Sequence, residues 1–396
     1  MFDAIETAPP DAILGLTEAF KKDPRPGKIN LGVGIYKNAE DKTPVFDSVK
    51  QAEQRILAAE TTKNYMPISG SPEYASVVQQ LVFGGGHEIV RNKRAVTAHT
   101  PGGTGALRLG ADFIRRQFPD TRVWVSDPTW ANHAAVFNAA ALDVQTYPYY
   151  DAKNKCLAFE AMMEVLREIP EGDVVLLHAC CHNPSGMDPI LREWEAIAEA
   201  AVERRFLPFL DFAYQGLGDG IEEDAAGLRA LCRPGCELLV ASSFSKNFGL
   251  YNERVGALTL VAATEDAAQR AFSQLKVCAR TLYSNPPAHG AAIVTTVVQD
   301  PGLRAIWQDE VKTMRNRINA MRRLFVDTLK AQGVSRDFSF IAHQKGMFSF
   351  SGLTKAQVDA LKEKHAVYAV GSGRINVAGI TPTNIDALCK AIADVL

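Results

Sequence analysis

The alternation of short apolar runs with amphipathic stretches predicts an α/β fold. Strands are predicted at residues 123–126, 144–147, 174–178, 208–211, 238–241 and 256–261. Helices are predicted between them, among others at residues 159–169, 191–204 and 224–231. Because short, uniformly apolar strands between helices are typically buried on both faces, we expect a mostly parallel sheet with helices on either side.

A different pattern follows toward the C-terminus. An apolar-periodic, charge-rich stretch from Leu303 to about Leu329 predicts one long helix. Beyond it we expect strands at residues 338–340, 347–351 and 374–377, a helix at 355–365 and a terminal helix from Thr383. The long helix therefore leads into a second, smaller α+β domain.

Composition narrows the functional class. The 396 residues suffice for two domains, and a formal net charge of −2 argues against a nucleic-acid-binding protein. The seven cysteines lack metal-site spacing and suggest reduced thiols, with the strand-borne Cys180 and Cys181 in the core. No apolar stretch reaches the ~18 residues of a membrane span, and no signal-peptide pattern opens the chain. We therefore expect a cytoplasmic protein without a metal.

Residues 242–254 contain the strongest candidate for covalent chemistry. Lys246 follows a predicted strand, at the sheet edge where α/β enzymes place their active sites. A lysine amine can form a Schiff base with a carbonyl. The hydroxyls of Ser243 and Ser245, with the guanidinium of Arg254, could bind a phosphate beside it. These residues predict a site for pyridoxal 5'-phosphate (PLP), although an isolated lysine is usually an exposed surface residue.

Three other motifs follow predicted strands. Asp211 could hold a pyridine nitrogen protonated, or could instead be a turn or helix-cap residue. The HNPSG motif at residues 182–186 is by itself a turn signal. The TPGGTG motif at residues 100–105 precedes an amphipathic helix at 106–118, and a glycine-rich turn at a helix N-terminus can bind phosphate. Arg108 occupies the third glycine position of the dinucleotide fingerprint, which argues against a nicotinamide cofactor.

Seven motifs in order mark a resemblance to a known family. They are TPGGTGALR, DPTWANH, HNPSG, DFAYQG, SSFSKNFGLYNERVG, RTLYSNPPAHG and GRINVAG. From about Ile13 to Leu396 the chain resembles the fold-type I PLP-dependent aminotransferases, and more narrowly the aspartate/aromatic aminotransferases of subfamily Iα. Ser185 stands where threonine is commoner. The resemblance implies a large domain with a mostly parallel seven-stranded sheet between helices, plus a smaller α+β domain.

The same resemblance implies a role for each cofactor-binding residue. Lys246 would form the Schiff base with PLP and move the substrate proton. Asp211 would pair with the pyridinium nitrogen, oriented by His133, and Tyr214 would bond the phenolic oxygen. Trp130 would stack on the ring, although it could also be an ordinary core residue. The other implied cofactor contacts are Gly103, Thr104, Asn183, Ser243, Ser245, Arg254 and, from the neighbouring subunit, Tyr65.

Two arginines define the implied substrate class. Arg374, assisted by Asn183, would bind the substrate α-carboxylate, and Arg280 would meet a distal carboxylate across the subunit boundary. Gly34 and Trp130 complete the implied substrate site. Because an unpaired buried arginine costs roughly 3–5 kcal/mol, dicarboxylic substrates should be preferred. The implied reaction is L-aspartate with 2-oxoglutarate to oxaloacetate and L-glutamate, by ping-pong transamination.

Other functions remain open at the level of sequence. If Arg280 can swing into solvent, the protein could be a broad aromatic amino acid aminotransferase with aspartate activity. Five residues resemble the aspartate-preferring versions: Lys37, Thr43, Asn64, Thr104 and Asn285. Another PLP chemistry on this fold, or a non-enzymatic role, is the remaining alternative. The Arg280/Arg374 pair argues against the former, and the presence of Lys246 and Asp211 argues against an inactive scaffold.

The resemblance also implies a homodimer with shared active sites. We expect an N-terminal arm and part of the small domain at residues 1–47, the large PLP-binding domain at 48–313, and the remainder of the small domain at 314–396. The arm, with Ala8-Pro9-Pro10, would wrap the partner, although composition alone predicts a frayed end. Ile13, Gly34 and Ile35 would lie near the entrance of a site that closes over substrate.

Overall fold

The computed structural model describes residues 1–8 and 14–396. Pro9, Pro10 and Ile13, for which the sequence predicts roles in the arm and the entrance, lie outside the described residues. The helices α1 to α14 are, in chain order, Leu14–Lys22, Asp47–Ala59, Pro72–Phe83, Glu88–Arg91, Gly102–Gln117, Asn132–Ala139, Phe159–Leu166, Leu191–Arg204, Ala226–Ala230, Glu265–Leu282, Ala288–Gln299, Pro301–Ala331, Lys355–His365 and Ile385–Val395.

The strands and the shorter helices complete the list of elements. The strands β1 to β13 are, in chain order, Ile29–Asn30, Ala95–Pro101, Arg122–Asp127, Asp143–Pro148, Tyr150–Asp151, Cys156–Leu157, Val174–His178, Leu207–Phe212, Leu238–Ser243, Val255–Val261, Phe348–Phe350, Val367–Tyr368 and Arg374–Asn376. The 3-10 helices are Phe2–Ala4, Glu223–Ala225, Ser339–His343 and Val377–Gly379.

The chain divides into two compact units. The small unit comprises Met1–Thr43, Pro184–Gly186 and Arg317–Leu396, and the large unit comprises Pro44–Asn183 and Met187–Asn316. The sequence-predicted domain boundaries at 47/48 and 313/314 stay a prediction. Over the described part of the chain, no helix combines the length and the apolar character needed to cross a membrane.

A seven-stranded sheet forms the centre of the large unit, in the order β2-β10-β9-β8-β7-β3-β4. Neighbours from β9 to β4 pair in parallel, whereas β10 is antiparallel to both β2 and β9. The mostly parallel sheet predicted from the sequence is therefore confirmed. In this register His178 lies beside Asp211, and Phe212 lies beside Ser242. The carboxyl ends of β7, β8 and β9 thus bring their last side chains to one edge.

Burial explains why these strands are uniformly apolar. All five residues of β7 and all but the first of β8 are buried, as expected for strands covered by helices on both faces. Helix α5 packs closely on this sheet, because a Cβ at Gly110 would lie 2.6 Å from Cζ of Phe209. This close contact sets the distance between α5 and the sheet.

The small unit contains two short ribbons, with β1 parallel to β12 and β11 antiparallel to β13. Arg322 of α12 is buried and organises the second ribbon. Its guanidinium donates hydrogen bonds to the carbonyl oxygens of Gly346 at 2.6 Å and Phe348 at 2.7 Å. Charge-assisted bonds of this kind fix the backbone of β11, and with it the Phe348 side chain.

Several local predictions were wrong in type or position. Residues 338–340 do not form a strand. Asp337 Oδ1 accepts a hydrogen bond from the Ser339 N–H at 2.8 Å, which starts a 3-10 helix there. The helix predicted at 106–118 begins earlier, at Gly102, so most of the glycine-rich turn is helical. The terminal helix begins at Ile385 rather than Thr383.

Candidate active site

Asp211 and His133 form a buried pair at the edge of the sheet. Nε2 of His133 lies 3.1 Å from Oδ2 of Asp211, and the Thr129 hydroxyl lies 2.7 Å from Nδ1 of the same ring. Since an ionised carboxylate only accepts, the His133 Nε2–H is the donor to Asp211. Burial raises the pKa of Asp211, but the His133 hydrogen bond and nearby positive charge outweigh it and leave the pKa below its ordinary value. The carboxylate is therefore ionised at neutral pH.

A row of rings lies behind His133. The ring centroid of His178 is 5.1 Å from that of His133 and 4.2 Å from that of His182, which stacks on Tyr149 at 3.8 Å. Burial, helped by the neighbouring His133, lowers the pKa of His178 to about 3, so this ring is neutral. Ligand atoms of His133, His178 and Asp211 lie within 4.8 Å of one another, a spacing that a metal ion could also use. The His133–Asp211 hydrogen bond already satisfies two of these three groups.

Lys246 follows β9 on the same edge. Its Nζ lies 4.6 Å from the ring centroid of Tyr214, a buried side chain. Burial of the amine lowers the pKa of Lys246 to about 8, with Asp211 opposing the shift and Arg254 adding to it. Near neutral pH the amine therefore has a free-base fraction that an ordinary lysine lacks, which is what nucleophilic and proton-transfer chemistry requires.

The glycine-rich start of α5 closely approaches two of the predicted phosphate contacts. A Cβ at Gly103 would lie 2.9 Å from the Ser243 Cβ, and a Cβ at Gly102 would overlap the Arg254 guanidinium. Gly102 also has φ of +78°, which side-chain-bearing residues rarely adopt. Glycine at both positions thus allows the start of α5 to approach Ser243 and Arg254 this closely.

Hydroxyl and guanidinium groups lie beside this start of α5. The buried Ser243 and Ser245 have their Oγ atoms 3.3 Å apart. The Arg254 guanidinium is exposed and donates to the Tyr251 carbonyl oxygen at 2.9 Å, and Thr104 lies in the first turn of α5. Hydroxyls, an arginine and a helix N-terminus together are suited to a phosphate group.

Trp130 and Asn183 flank the same edge. The Trp130 ring is partly buried and meets His133 edge-on, with centroids 5.2 Å apart. Asn183 is buried at the end of a loop that Asp188 holds, because the Asp188 carboxylate accepts the backbone N–H of Cys181 at 2.7 Å and of His182 at 2.8 Å. Both side chains belong to the large unit.

Arg374 lies in the small unit, on β13. It is buried and donates to the Gly32 carbonyl oxygen, and its Cζ lies 4.2 Å from the ring centroid of Phe348. The same ring closely approaches Gly34, where a Cβ would lie 2.6 Å from the Phe348 Cζ. Gly34 therefore acts through Phe348 on the position of the Arg374 guanidinium.

Two predicted residues lie at the surface of the large unit. The Tyr65 side chain is 92% exposed, and the exposed Arg280 at the end of α10 donates to the Ser284 hydroxyl. Neither His178 nor Phe348 lies in a motif that predicts a role in the site. A histidine that closes an apolar strand was the only available signal for His178, and nothing in the sequence marked Phe348.

Comparison with known proteins identifies the family of the chain. A sequence model of the family "Aminotransferase class I and II" matches residues 26–392. The chain is 59% identical over 396 residues to an aspartate aminotransferase of Salmonella typhi, and 47% identical over 394 residues to an aromatic-amino-acid aminotransferase of Pseudomonas aeruginosa. The first alignment covers 100% of both chains, and the second covers 100% of this chain and 98% of the relative.

A solved structure of an aminotransferase has the same fold as this chain. An aromatic-amino-acid aminotransferase from Burkholderia pseudomallei, covalently bound to pyridoxal phosphate, superposes with a TM-score of 0.97 at 49% identity, over 100% of this chain and 99% of the other. Sheet, strand-end lysine and buried carboxylate define an enzyme with the fold of the fold-type I aminotransferases. The chain belongs to the aminotransferase class I and II family.

Proposed function

We propose that this enzyme catalyses PLP-dependent transamination of L-aspartate with 2-oxoglutarate to oxaloacetate and L-glutamate. The observation that carries the proposal is Lys246, whose pKa is lowered to about 8 in a site shared with the ionised Asp211. The preference for aspartate is supported by the 59% identity to the Salmonella typhi aspartate aminotransferase, against 47% for the aromatic relative of Pseudomonas aeruginosa.

The residues fit PLP in charge and in shape. An ionised Asp211, held by His133, complements a protonated ring nitrogen. The α5 N-terminus, the hydroxyls of Ser243 and Ser245, and Arg254 complement a phosphate. A Cβ at Gly103 would lie 2.9 Å from the Ser243 Cβ, so glycine lets the start of α5 come close to the Ser243 hydroxyl. Trp130, Asn183 and Tyr214 would contact the ring and its substituents.

The chemistry divides between cofactor and protein. When bound, PLP supplies an electron sink for the charge that develops at the substrate Cα. The free amine of Lys246 takes the proton from that Cα, because its lowered pKa provides a base near neutral pH. Arg374 would hold the α-carboxylate by a bidentate pair, and Arg280 would hold the distal carboxylate.

A homodimer would complete the site. Tyr65 and Arg280 both lie exposed on the large unit, where a second copy could receive them. A closed twofold dimer is also the commonest oligomer of soluble proteins. Mixing a Lys246→Ala protein with an Arg280→Ala protein tests this arrangement. Hybrid dimers with one intact site should regain activity that neither parent has, whereas no recovery in verified hybrids would contradict shared sites.

Half-reaction kinetics test the reaction and its substrate. The PLP-loaded enzyme is mixed with aspartate or phenylalanine, and the cofactor absorbance is followed. Fast conversion with aspartate and far slower conversion with phenylalanine would support the proposal. Comparable rates would favour the second candidate, a broad aromatic aminotransferase, which the Burkholderia pseudomallei neighbour motivates. No spectral change with either amino acid would overturn both.

A variant pair links the reaction to Lys246. Lys246→Arg keeps the positive charge but cannot form a Schiff base, so we expect no measurable transamination. The matched control is Lys276→Arg on α10, whose amine lies over the Phe272 ring at 4.8 Å. Appreciable turnover by Lys246→Arg would remove this lysine from the mechanism.

A further inference from the structure

The segment between α9 and β9 contains two cysteines separated by three residues, Cys232 and Cys236. The Cys236 N–H donates to the Arg233 carbonyl oxygen at 3.0 Å, which closes a turn through Pro234 and Gly235. This turn folds the chain back between the two cysteines, and each thiol shifts the pKa of the other. We propose that Cys232 and Cys236 form a redox-active dithiol that low-molecular-weight disulfides oxidise to an intramolecular disulfide.

A buried arginine holds one end of this dithiol in place. The Arg94 guanidinium lies 3.7 Å from the Cys236 sulfur and donates to the Cys236 carbonyl oxygen at 2.8 Å. It is fixed there by the Ala262 carbonyl oxygen at 2.9 Å and by Glu88 at 2.8 Å. A guanidinium with this many partners keeps its position, and so presents a permanent positive charge to the sulfur.

The surrounding charges make the two thiols unequal. The pKa of Cys236 is lowered by a hydrogen-bond interaction with the Cys232 thiol, and Arg94 adds to this effect, whereas burial and Glu88 oppose it. The pKa of Cys232 is raised by the same hydrogen bond and by burial, against the charges of Arg229 and Arg94. Cys236 is therefore the attacking thiolate, and Cys232 the resolving thiol.

The dithiol is accessible to a small reagent. Cys232 and Cys236 are both partly exposed. Cys236 also lines a surface cleft of about 500 Å³, together with residues from α8 and from the start of β8. In contrast, the adjacent Cys180 and Cys181 are buried, and burial raises the pKa of the Cys180 thiol. The two cysteine pairs thus differ in the features that thiol reactivity requires.

The exchange balances without a further reactant. The Cys236 thiolate attacks one sulfur of the small disulfide, forms a mixed disulfide, and releases one small thiolate. Cys232 then loses its proton to solvent and attacks the Cys236 sulfur. This second step forms the Cys232–Cys236 bond and releases the second small thiolate, which takes up a proton. Two protein thiols are oxidised, and one small disulfide is reduced to two thiols.

The test uses the full-length, PLP-loaded enzyme in mixtures of reduced and oxidised glutathione at pH 7. After acid quenching and alkylation, tryptic fragment 230–246 is analysed by mass spectrometry, because it contains Cys232, Cys236 and no other cysteine. We expect a disulfide-linked fragment, lighter by about 2 Da than its dithiol form. The exposed, lone Cys156 is the internal control, and we expect it to form only a mixed disulfide, at least about tenfold more slowly.

Cys232→Ser separates the two roles. In this variant Cys236 should still react quickly but should accumulate as the glutathione mixed disulfide, since the resolving thiol is gone. Unchanged transaminase activity of the reduced variant confirms that it folds. The proposal is overturned if the wild-type fragment stays unmodified under conditions that modify Cys156, or if it carries only mixed disulfides.

Discussion

Nε2 of His133 donates a hydrogen bond of 3.1 Å to Oδ2 of Asp211, and both side chains are buried in the large unit. The pair places an ionised carboxylate at the ends of parallel strands, with an uncharged ring row behind it. A buried negative charge is costly unless hydrogen-bonded or paired. In the proposed function, a protonated ring nitrogen would supply a further charge partner for this carboxylate.

Removing the histidine should therefore destabilise the cofactor-free protein. His133→Ala leaves Oδ2 of Asp211 without this donor, and an unsatisfied buried polar group costs about 1–3 kcal/mol. We expect a loss of that size in the free energy of unfolding in urea. His289→Ala is the matched control, because His289 is about half exposed and lies 4.0 Å from the Glu53 carboxylate; its effect should stay within about 0.5 kcal/mol. Equal stability of both variants would contradict this role of His133.

Lys246 should titrate below the other lysines. Because burial lowers its pKa to about 8, its reaction with an amine-modifying reagent in the cofactor-free protein should have a midpoint near pH 8. Mass spectrometry of the modified peptide at a series of pH values measures this midpoint. Lys355 is the control, since its pKa is raised by the hydrogen bond to Asp359, and its reactivity should still be rising at pH 10. If modification of the two lysines rose with pH in the same way, the pKa of Lys246 would not be lowered.

The same pKa has a consequence for stability. The unfolded chain keeps the Lys246 proton up to an ordinary pKa near 10.4, whereas the folded protein releases it at about 8. Between these values the unfolded state binds more protons, so the contribution of Lys246 to the free energy of unfolding rises with pH. Lys246→Met should remove this part of the pH dependence. Denaturant unfolding at pH 8 and pH 10 gives the change in the free energy of unfolding between these two pH values. An equal change in the wild type and in Lys246→Met would contradict this role of Lys246.

Much of the fold follows from local patterns. The predicted strands 174–178 and 208–211 coincide with or lie inside β7 and β8, because a run of apolar residues has few other places to be buried. Residues 338–340 show the limit of this reasoning. Two aromatic residues favour a strand, yet a side-chain hydrogen bond from Asp337 selects a 3-10 helix. The two-residue strands β1 and β12 exist through pairing between distant segments, which no local pattern encodes.

The candidate site could be predicted wherever a motif carries its residue. Lys246 and Asp211 lie at strand ends, and the alternation of elements is enough to bring such ends to one edge. His178 and Phe348 could not be found in this way. His178 contributes a neutral ring behind His133, and Phe348 contributes a surface between Gly34 and Arg374. Both act through packing, and packing partners far apart in sequence leave no signature in a single chain.

Gly103 should be intolerant of a side chain. An alanine Cβ would lie 2.9 Å from the Ser243 Cβ. It would push the α5 N-terminus away from the proposed phosphate contacts Ser243 and Ser245. We expect Gly103→Ala to weaken PLP binding at least about tenfold, measured by titrating the cofactor-free protein. Adding Ser243→Gly removes the clash and should recover part of the affinity. Gly86→Ala, where a Cβ meets nothing within 4 Å, should bind as the wild type does; an unaffected Gly103→Ala would show that this approach is not needed.

Arg280 and Arg374 should separate two kinds of substrate recognition. Losing a bidentate, charge-assisted pair costs roughly 3 kcal/mol, or about 100-fold in kcat/KM. Arg280→Gln should therefore lower kcat/KM for aspartate about 100-fold and change that for phenylalanine by less than about threefold. Arg374→Lys should lower both, because every amino acid carries an α-carboxylate and lysine cannot reproduce the planar fork. Arg270 lies on the same helix α10, where it pairs with Asp266 at the surface. Arg270→Gln should therefore leave kcat/KM unchanged for both substrates. Equal losses for aspartate and phenylalanine in Arg280→Gln would mean that Arg280 supports the site as a whole and does not read the distal carboxylate.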